Sequence, residues 1–267
     1  MNSIVVAIVS VTVIGVVCSV LLAVLSKIMA VEVDERLVFI RECLPGANCG
    51  ACGYSGCNGY AAALAEGSAA ANLCTPGGNE LVMQISEFLG VSAGEGIKKK
   101  VAIVRCIGDS ETKSDKMDYR GTRTCAAAKL LFGGPRACTF GCVGYGDCVK
   151  SCPSDAICLE KGIAHINQRR CTGCGLCAKA CPYGVISIED APLVVVVLCK
   201  NTEKGAALKD KCSKGCIGCM KCVKECPSQA ITVNDFLASI DYEKCIGCLK
   251  CTDVCIKKCI KRSGKTE

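Results

Sequence analysis

Cysteine is the residue type that most constrains this chain, because it occurs 28 times in 267 residues. There is no tryptophan, and there are only five phenylalanines, six tyrosines and one histidine. Aromatic side chains therefore cannot build a core of ordinary size, and thiols must organise the interior. Cysteine at this density belongs either to a secreted disulfide scaffold or to a protein whose thiolates bind metal.

An uncharged apolar run, residues 4–25, lies near the N-terminus. It has about the ~20 residues that a membrane-spanning helix needs, and it lacks the basic start of a secretory signal. Lys27, Arg36 and Arg41 follow it, so the positive-inside rule predicts a single-pass protein of the cell (inner) membrane with its remaining domains on the cytoplasmic side. That compartment is reducing and favours metal binding over disulfides. A buried core helix is the alternative, which the absence of charge disfavours.

The second half of the chain contains an internal repeat, in which nine cysteines recur after 74 residues. The first set is Cys125, Cys138, Cys142, Cys148, Cys152, Cys171, Cys174, Cys177 and Cys181, and the second is Cys199, Cys212, Cys216, Cys222, Cys226, Cys245, Cys248, Cys251 and Cys255. The coincidences indicate a duplicated module. Short β-branched runs predict one hairpin in each copy, from 156–157 with 163–166 and from 230–233 with 237–240.

The modules carry the bacterial ferredoxin spacing, in which three thiolates bind one [4Fe-4S] cube and the fourth binds its neighbour. Module one departs from it, because Tyr145 stands where the repeat has Cys219, and we expect Cys138 to supply the missing thiolate. Ile256 replaces the proline that follows the fourth cysteine elsewhere. The four expected ligand sets are Cys138, Cys142, Cys148 and Cys181; Cys152, Cys171, Cys174 and Cys177; Cys216, Cys219, Cys222 and Cys255; and Cys226, Cys245, Cys248 and Cys251.

A fifth predicted site lies ahead of the repeat. It comprises Cys49, Cys52, Cys57 and Cys74, and because its spacing is less specific, zinc is an alternative there. Among the cysteines that remain, Cys125 and Cys199 correspond across the repeat, which suggests a sixth cluster between the modules. Its hypothetical ligands are Cys106, Cys125, Cys199 and Cys212, and buried reduced thiols are the alternative. The expected cofactors are five [4Fe-4S] clusters, or six if this hypothesis holds.

The formal charge of +7 would suit an acidic partner such as nucleic acid. Each cluster with four thiolates adds about −2, however, so five clusters reverse the sign. A zinc-stapled nucleic-acid-binding protein is further disfavoured because the modules offer few aromatic residues for base stacking. No catalytic constellation and no strand–GxGxxG–helix unit is visible. The sequence therefore predicts electron transport without a substrate-transforming active site in this chain.

These patterns predict an α+β protein with five parts. They are a membrane anchor helix (1–27), a small helical 4Fe-4S domain (28–90), a linker with a short strand and helix (91–130), and two tandem bacterial-type 2[4Fe-4S] ferredoxin modules (131–198 and 199–267). Helices are expected over 31–42, 61–71 and 80–89, and a strand over 101–104.

Two segments carry a family resemblance: Leu44-Pro45-Gly46-Ala47-Asn48-Cys49-Gly50-Ala51-Cys52-Gly53-Tyr54-Ser55-Gly56-Cys57, and Gly141-Cys142-Val143-Gly144-Tyr145-Gly146-Asp147-Cys148 followed by Cys152-Pro153. With the anchor before them, they resemble the B subunit of the Rnf complex over nearly the whole chain. The resemblance implies a ferredoxin:NAD+ oxidoreductase that couples electron flow to sodium or proton transport. It implies that this subunit takes electrons from reduced ferredoxin and passes them to other membrane and peripheral Rnf subunits, and that the N-terminal group binds a [4Fe-4S] cluster. A free-standing membrane polyferredoxin serving another reductase is the rival interpretation.

Overall fold

The computed structural model describes residues 2–28, 34–92 and 96–263. Within them the α-helices are α1 (Asn2–Ile28), α2 (Glu35–Cys43), α3 (Cys57–Ala65), α4 (Gly78–Leu89), α5 (Cys125–Leu130), α6 (Asp147–Lys150), α7 (Leu176–Ala180), α8 (Gly205–Lys209), α9 (Lys221–Lys224) and α10 (Lys250–Asp253). The strands are β1 (Lys100–Val104), β2 (Ile157–Glu160), β3 (Ile163–Ile166), β4 (Ile186–Asp190), β5 (Val195–Val197), β6 (Ile231–Asn234), β7 (Leu237–Ile240) and β8 (Ile260–Arg262). This mixed content is the α+β class that the sequence predicts.

Helix α1 is 27 residues long and has no charged residue before Lys27. The stretch Val5–Lys27 reaches a mean hydropathy of 2.9, and none of it is buried against the rest of the chain. A core helix would bury one face, so the buried-helix alternative does not fit this structure. By length and composition, α1 can cross a membrane.

Helices α2, α3 and α4 pack into a small N-terminal unit around Ile40, Tyr60, Leu64 and Ile85. The α2 helix begins where the Asp34 carboxylate accepts a hydrogen bond from the backbone N–H of Arg36, and the earlier part of the expected helix, residues 31–33, lies outside the described residues.

Helix α3 begins and ends earlier than the predicted range of 61–71. Gly67 has a left-handed φ of +73°, and the N–H of Ser68 bonds to the carbonyl of Ala63 at 2.9 Å. This pair forms a glycine C-cap, which stops α3 at Ala65.

Each repeat builds two small antiparallel sheets. The predicted hairpins are confirmed: β2 pairs with β3, and β6 pairs with β7 in the equivalent register. The second sheet of each repeat joins distant segments, because β1 pairs with β4 and β5 pairs with β8. Strand pairing therefore attaches β1 to module one and β5 to module two, although the sequence places β1 in the linker and β5 before residue 199.

Candidate metal centres

A tight loop carries the first three cysteine positions of each ferredoxin-type motif. In each loop, the second residue after the first cysteine is a glycine with a left-handed φ. These glycines are Gly144, Gly173, Gly218 and Gly247. A β-carbon on Gly144 would lie 2.3 Å from the carbonyl oxygen of Gly162, and one on Gly173 would lie 2.4 Å from that of Lys100. Only glycine lets the loop approach these backbone segments so closely. The loop is thereby held against the sheet of its own module.

A second turn positions the fourth cysteine of each motif. The residue three positions after this fourth cysteine has a left-handed φ, and its N–H donates a hydrogen bond to the carbonyl of the cysteine. The pairs are Asp155 with Cys152 (3.4 Å), Gly184 with Cys181 (3.1 Å), Gln229 with Cys226 (3.2 Å) and Lys258 with Cys255 (3.0 Å). The last turn forms without the usual proline, since Ile256 follows Cys255. The turn geometry is therefore common to all four motifs.

Module two brings its thiols together in the two groups that the sequence predicts. One pocket is lined by Cys216, Cys219, Cys222 and Cys255, and another by Cys226, Cys245, Cys248 and Cys251. The first pocket also contains Cys259, whose Sγ lies 3.7 Å from that of Cys255. This fifth thiol is fully buried, and no repeat spacing marks it. Its place in one pocket with Cys216 is seen only in the folded chain.

Module one differs from the expectation in one residue. The pocket beside its first loop is lined by Cys125, Cys142, Cys148 and Cys181, and Cys138 lies elsewhere. Helix α5 explains the difference, because it starts at Cys125 and is fixed there by two acceptors. The Thr124 hydroxyl accepts from the N–H of Ala127 at 3.2 Å, and the Asp147 carboxylate accepts from that of Ala126 at 3.0 Å.

In the second expected group of module one, the Cys177 thiol has the other three thiols nearby. Burial raises the pKa of the Cys177 thiol to about 11, and the adjacent thiols of Cys171, Cys174 and Cys152 add to the shift. The thiols of this group are therefore close enough to interact electrostatically. The thiol displaced from the other pocket, Cys138, faces Cys106, Cys199 and Cys212 across a pocket between the modules.

The N-terminal group also converges. Burial raises the pKa of the Cys74 thiol, and Cys49, Cys52 and Cys57 contribute by proximity. The Asn48 side chain accepts a hydrogen bond from the N–H of Cys57 at 2.8 Å, which ties the two ends of the cysteine loop together. The buried Tyr60 hydroxyl donates to the carbonyl of Ala70 at 2.7 Å. It also accepts from the N–H of Leu73 at 3.3 Å, and so fixes the segment that carries Cys74.

The donor sets fit iron–sulfur cubes. Burial raises the pKa of Cys148 to about 12 and that of Cys222 to about 11, so these thiols need a bound cation to become thiolates. The thiols of three of the five groups line small pockets, and a pocket with thiols around it has the form that a four-iron cube requires.

Backbone N–H groups also point at the cysteine sulfurs. The N–H of Ala156 lies 3.3 Å from Cys152 Sγ, and the N–H of Ala102 lies 3.4 Å from Cys171 Sγ. Such hydrogen bonds stabilise the negative charge that thiolate-bound clusters carry and adjust their reduction potentials.

The cysteines of module two differ from those of the other groups in their solvent exposure. Among the cysteines of these groups, only Cys219 and Cys248 are exposed, and both belong to the loops of module two. The corresponding residues of module one, Tyr145 and Cys174, are half-buried. Module two is therefore the part of the chain where a bound cluster would lie nearest to solvent.

Three family models match separate parts of the chain. An Fe-S cluster model covers residues 44–76, a 4Fe-4S binding domain covers 164–187, and a 4Fe-4S dicluster domain covers 215–261. These ranges contain the N-terminal cysteine group, the end of module one and most of module two. The matched families are thus those expected for 4Fe-4S ligation.

Curated relatives match nearly the full chain. The B subunit of the "Na(+)-translocating ferredoxin:NAD(+) oxidoreductase complex" of Acetobacterium woodii is 40% identical, over 91% of this chain and 73% of the relative. The B subunit of the "Proton-translocating ferredoxin:NAD(+) oxidoreductase complex" of Clostridium ljungdahlii is 42% identical, over 90% and 85%. The B subunit of the "Ion-translocating oxidoreductase complex" of Methanosarcina acetivorans is 39% identical, over 86% and 87%.

Proposed function

The chain belongs to the family of B subunits of ion-translocating ferredoxin:NAD(+) oxidoreductase complexes, and from that premise we propose that it takes electrons from reduced ferredoxin at module two. Its general role is electron relay within an Rnf complex, as an electron-transfer subunit of an oxidoreductase. A bound [4Fe-4S] cluster supplies a centre that accepts and releases one electron at a time. The chain's own residues hold such centres, exclude water from most of them and set their order.

Five sites follow from the five groups just described. The proposed ligands are those of the sequence analysis, with Cys125 in place of Cys138 beside Cys142, Cys148 and Cys181. The buried thiols and the inward N–H groups support this assignment. Anaerobically purified chain should be brown, bleach with dithionite and contain acid-labile sulfide. Colourless protein without sulfide would overturn the assignment.

The exposure of Cys219 and Cys248 carries the proposal that electrons enter at module two. Electron transfer weakens steeply with distance, so a soluble donor must approach a site that reaches the surface. Met220 and Ile246, beside these cysteines, leave 48% and 68% of their surfaces exposed, and they offer an apolar contact for a transient partner.

Exposed lysines flank the same loops. Lys221 and Lys250 each directly precede a buried cysteine of these loops and point to solvent, and Lys224 lies one turn further along α9. Positive charge around an apolar contact attracts a partner with an acidic surface and accelerates its encounter. We infer that the docking face of the donor ferredoxin is acidic.

Stopped-flow reduction of the full-length chain by reduced ferredoxin tests the entry point. The Lys221→Glu/Lys250→Glu variant should be reduced about ten-fold more slowly at low ionic strength, and the difference should shrink as salt screens the charges. Lys150→Glu/Arg169→Glu makes the same charge change at exposed positions of module one and should have little effect. Equal rates for the two variants would contradict entry at module two.

We further propose that the cluster-bearing domains lie on the cytoplasmic side, anchored by α1 to the cell membrane. The support is Lys27, Arg36 and Arg41, which follow the apolar stretch. Protease added to inverted membrane vesicles should digest the domains, and protease added to right-side-out vesicles should leave them intact. The opposite pattern would reverse the orientation.

Association with other Rnf subunits is the remaining part of the proposal, supported by the names of the relatives. Affinity purification of the full-length chain from mild detergent should recover integral-membrane partners. Recovery of the chain alone, still carrying its clusters, would favour a free-standing polyferredoxin.

A further inference from the structure

Four cysteines outside the five groups surround a pocket between the modules. Cys106 follows β1, Cys138 precedes the first loop of module one, Cys199 follows β5, and Cys212 follows α8; all four line the same pocket. Three of them are buried and Cys106 is half-buried. We propose that these four thiols bind a sixth [4Fe-4S] cluster. This inference rests on the proposed cluster-binding function and extends it to a site that no matched family model covers.

The repeat explains why this set differs from the sequence hypothesis. Cys125 and Cys199 occupy equivalent positions, but their modules differ at the third loop residue, which is Tyr145 in one and Cys219 in the other. Where tyrosine replaces the loop cysteine, Cys125 completes the group of module one. Module two has Cys219, so its own group is complete without Cys199. The Cys199 thiol is thereby left for the pocket between the modules.

A buried ammonium group is directed at this pocket. Only 6% of Lys113 is exposed, and its Nζ lies 3.6 Å from Cys106 Sγ and 2.6 Å from the carbonyl oxygen of Cys142. A buried positive charge is costly unless a negative partner compensates it. The ion pairs among the described residues do not include Lys113. Four thiolates around an iron–sulfur cube carry about −2 and would supply that partner.

Two further donors approach the sulfurs. The Asn201 side chain is 1% exposed, and its Nδ2 lies 3.5 Å from Cys138 Sγ while its Oδ1 accepts from the N–H of Glu203 at 2.7 Å. The N–H of Cys216 lies 3.3 Å from Cys199 Sγ. Hydrogen bonds of this kind are the outer contacts that hold and adjust thiolate ligands. A lysine, a side-chain amide and a backbone N–H are thus directed at three of the four sulfurs.

The site is in contact with a cluster group of each module. Lys113 touches Cys106 of the proposed site and Cys142 of module one. Cys216, whose N–H bonds to Cys199, is itself a member of the first group of module two. The proposed cluster would therefore lie between the two modules and connect their sites.

Native mass spectrometry of the anaerobically purified full-length chain counts the clusters directly. Six clusters, with about 24 iron atoms, are expected. Five clusters would overturn the sixth site and leave the proposed function standing, whereas a chain without clusters would overturn both. This measurement needs no variant, so it decides the question even if a substitution impairs folding.

Variants then assign the ligands. Cys106→Ala/Cys212→Ala should lose about four iron and four sulfide per chain. The matched control Cys43→Ala/Cys158→Ala removes two thiols that belong to none of the groups and should keep the full content. Unchanged iron in the first variant would refute the assignment.

A redox titration of the Lys113→Met variant, followed by EPR, distinguishes a bound cluster from free thiols at this site. Removal of the positive charge should move the reduction step that the Cys106→Ala/Cys212→Ala variant lacks to lower potential. In the Cys106→Ala/Cys212→Ala background this shift should disappear. Persistence of the shift there would place its origin at Cys142 and count against the sixth site.

Discussion

The ammonium group of Lys179 lies 2.9 Å from the carbonyl oxygen of Cys49, and this contact joins module one to the N-terminal cysteine group. Lys179 lies on α7, two residues after Cys177, so the two proposed sites are neighbours. Together with the contacts of Lys113 and Cys216, it links residues of the N-terminal unit, module one and module two.

The contact of Lys179 predicts a local effect. Lys179→Ala removes one charged hydrogen bond at an exposed position, worth about 1 kcal/mol. Backbone amides over residues 49–57 should exchange about five-fold faster by hydrogen–deuterium exchange, with the rest of the chain unchanged. Lys150→Ala is the matched control, because Lys150 follows Cys148 by the same two residues. Equal exchange in the two variants would show that Lys179 does not hold the N-terminal unit.

The loop glycines should be intolerant of any side chain. Gly173→Ala would place a β-carbon 2.4 Å from the carbonyl oxygen of Lys100, so β1 or the loop must move. The expected cost is more than about 3 kcal/mol, with loss of iron from the Cys171 group. Gly67→Ala is the control, since Gly67 has nearly the same φ but nothing within 4 Å of the added carbon. It should cost about 1 kcal/mol, from backbone strain alone. The guanidinium concentration at which half of the cluster colour is lost measures the stability of both variants. Similar midpoints for Gly173→Ala and Gly67→Ala would contradict the steric argument.

Local features of this fold could be predicted from the sequence. The two hairpins and helix α4 lie where alternation and periodicity put them, because short-range pairing and helix amphipathicity leave a direct trace in the residue order. The pairings of β1 with β4 and of β5 with β8 join segments more than 60 residues apart. Nothing in either strand identifies its partner, so those sheets required the structure.

For the same reason, the sequence could not show whether Cys125 or Cys138 joins the first group of module one. Both precede the first loop of module one, and spacing alone cannot tell which thiol reaches it. Helix α5 and the contact of Asp147 with it settle the choice. The repeat does not separate them either, because both have a cysteine counterpart in module two, Cys199 for Cys125 and Cys212 for Cys138.

The turn after Cys255 should tolerate the proline that its three counterparts contain. The N–H of Lys258 bonds to the Cys255 carbonyl at 3.0 Å, as in the other turns, and Ile256 is 57% exposed. Ile256→Pro should therefore raise stability by about 0.5 kcal/mol, because proline restricts the unfolded chain. Full iron content with a higher guanidinium midpoint of bleaching is the expected result. Pro227→Ile, the reverse change in the equivalent turn, should lower the midpoint, and a fall with Ile256→Pro would mean that this turn differs from its counterparts.

Asp109 connects the segment that carries Lys113 to module two. Hydrogen bonds from Lys214, at 2.8 Å, and from Thr112 hold the pKa of the Asp109 carboxyl well below its ordinary value. The carboxylate is nearly buried, so Asp109→Asn should cost about 2 kcal/mol at neutral pH. Asp241→Asn, at an exposed carboxylate paired with Lys244, is the control and should change stability little.

The sign of the pH dependence follows from the direction of that shift. Because the pKa of Asp109 is lower in the folded chain than the ~3.9 of an unfolded aspartate, its contribution is complete above that unfolded value. The contribution is lost as the pH falls through the folded pKa. The difference in guanidinium midpoint between wild type and Asp109→Asn should therefore stay constant from about pH 8 to about pH 5 and narrow only below about pH 4. A difference that already narrows between about pH 7 and about pH 6 would assign the effect to another group, since no carboxyl with a lowered pKa titrates in that interval.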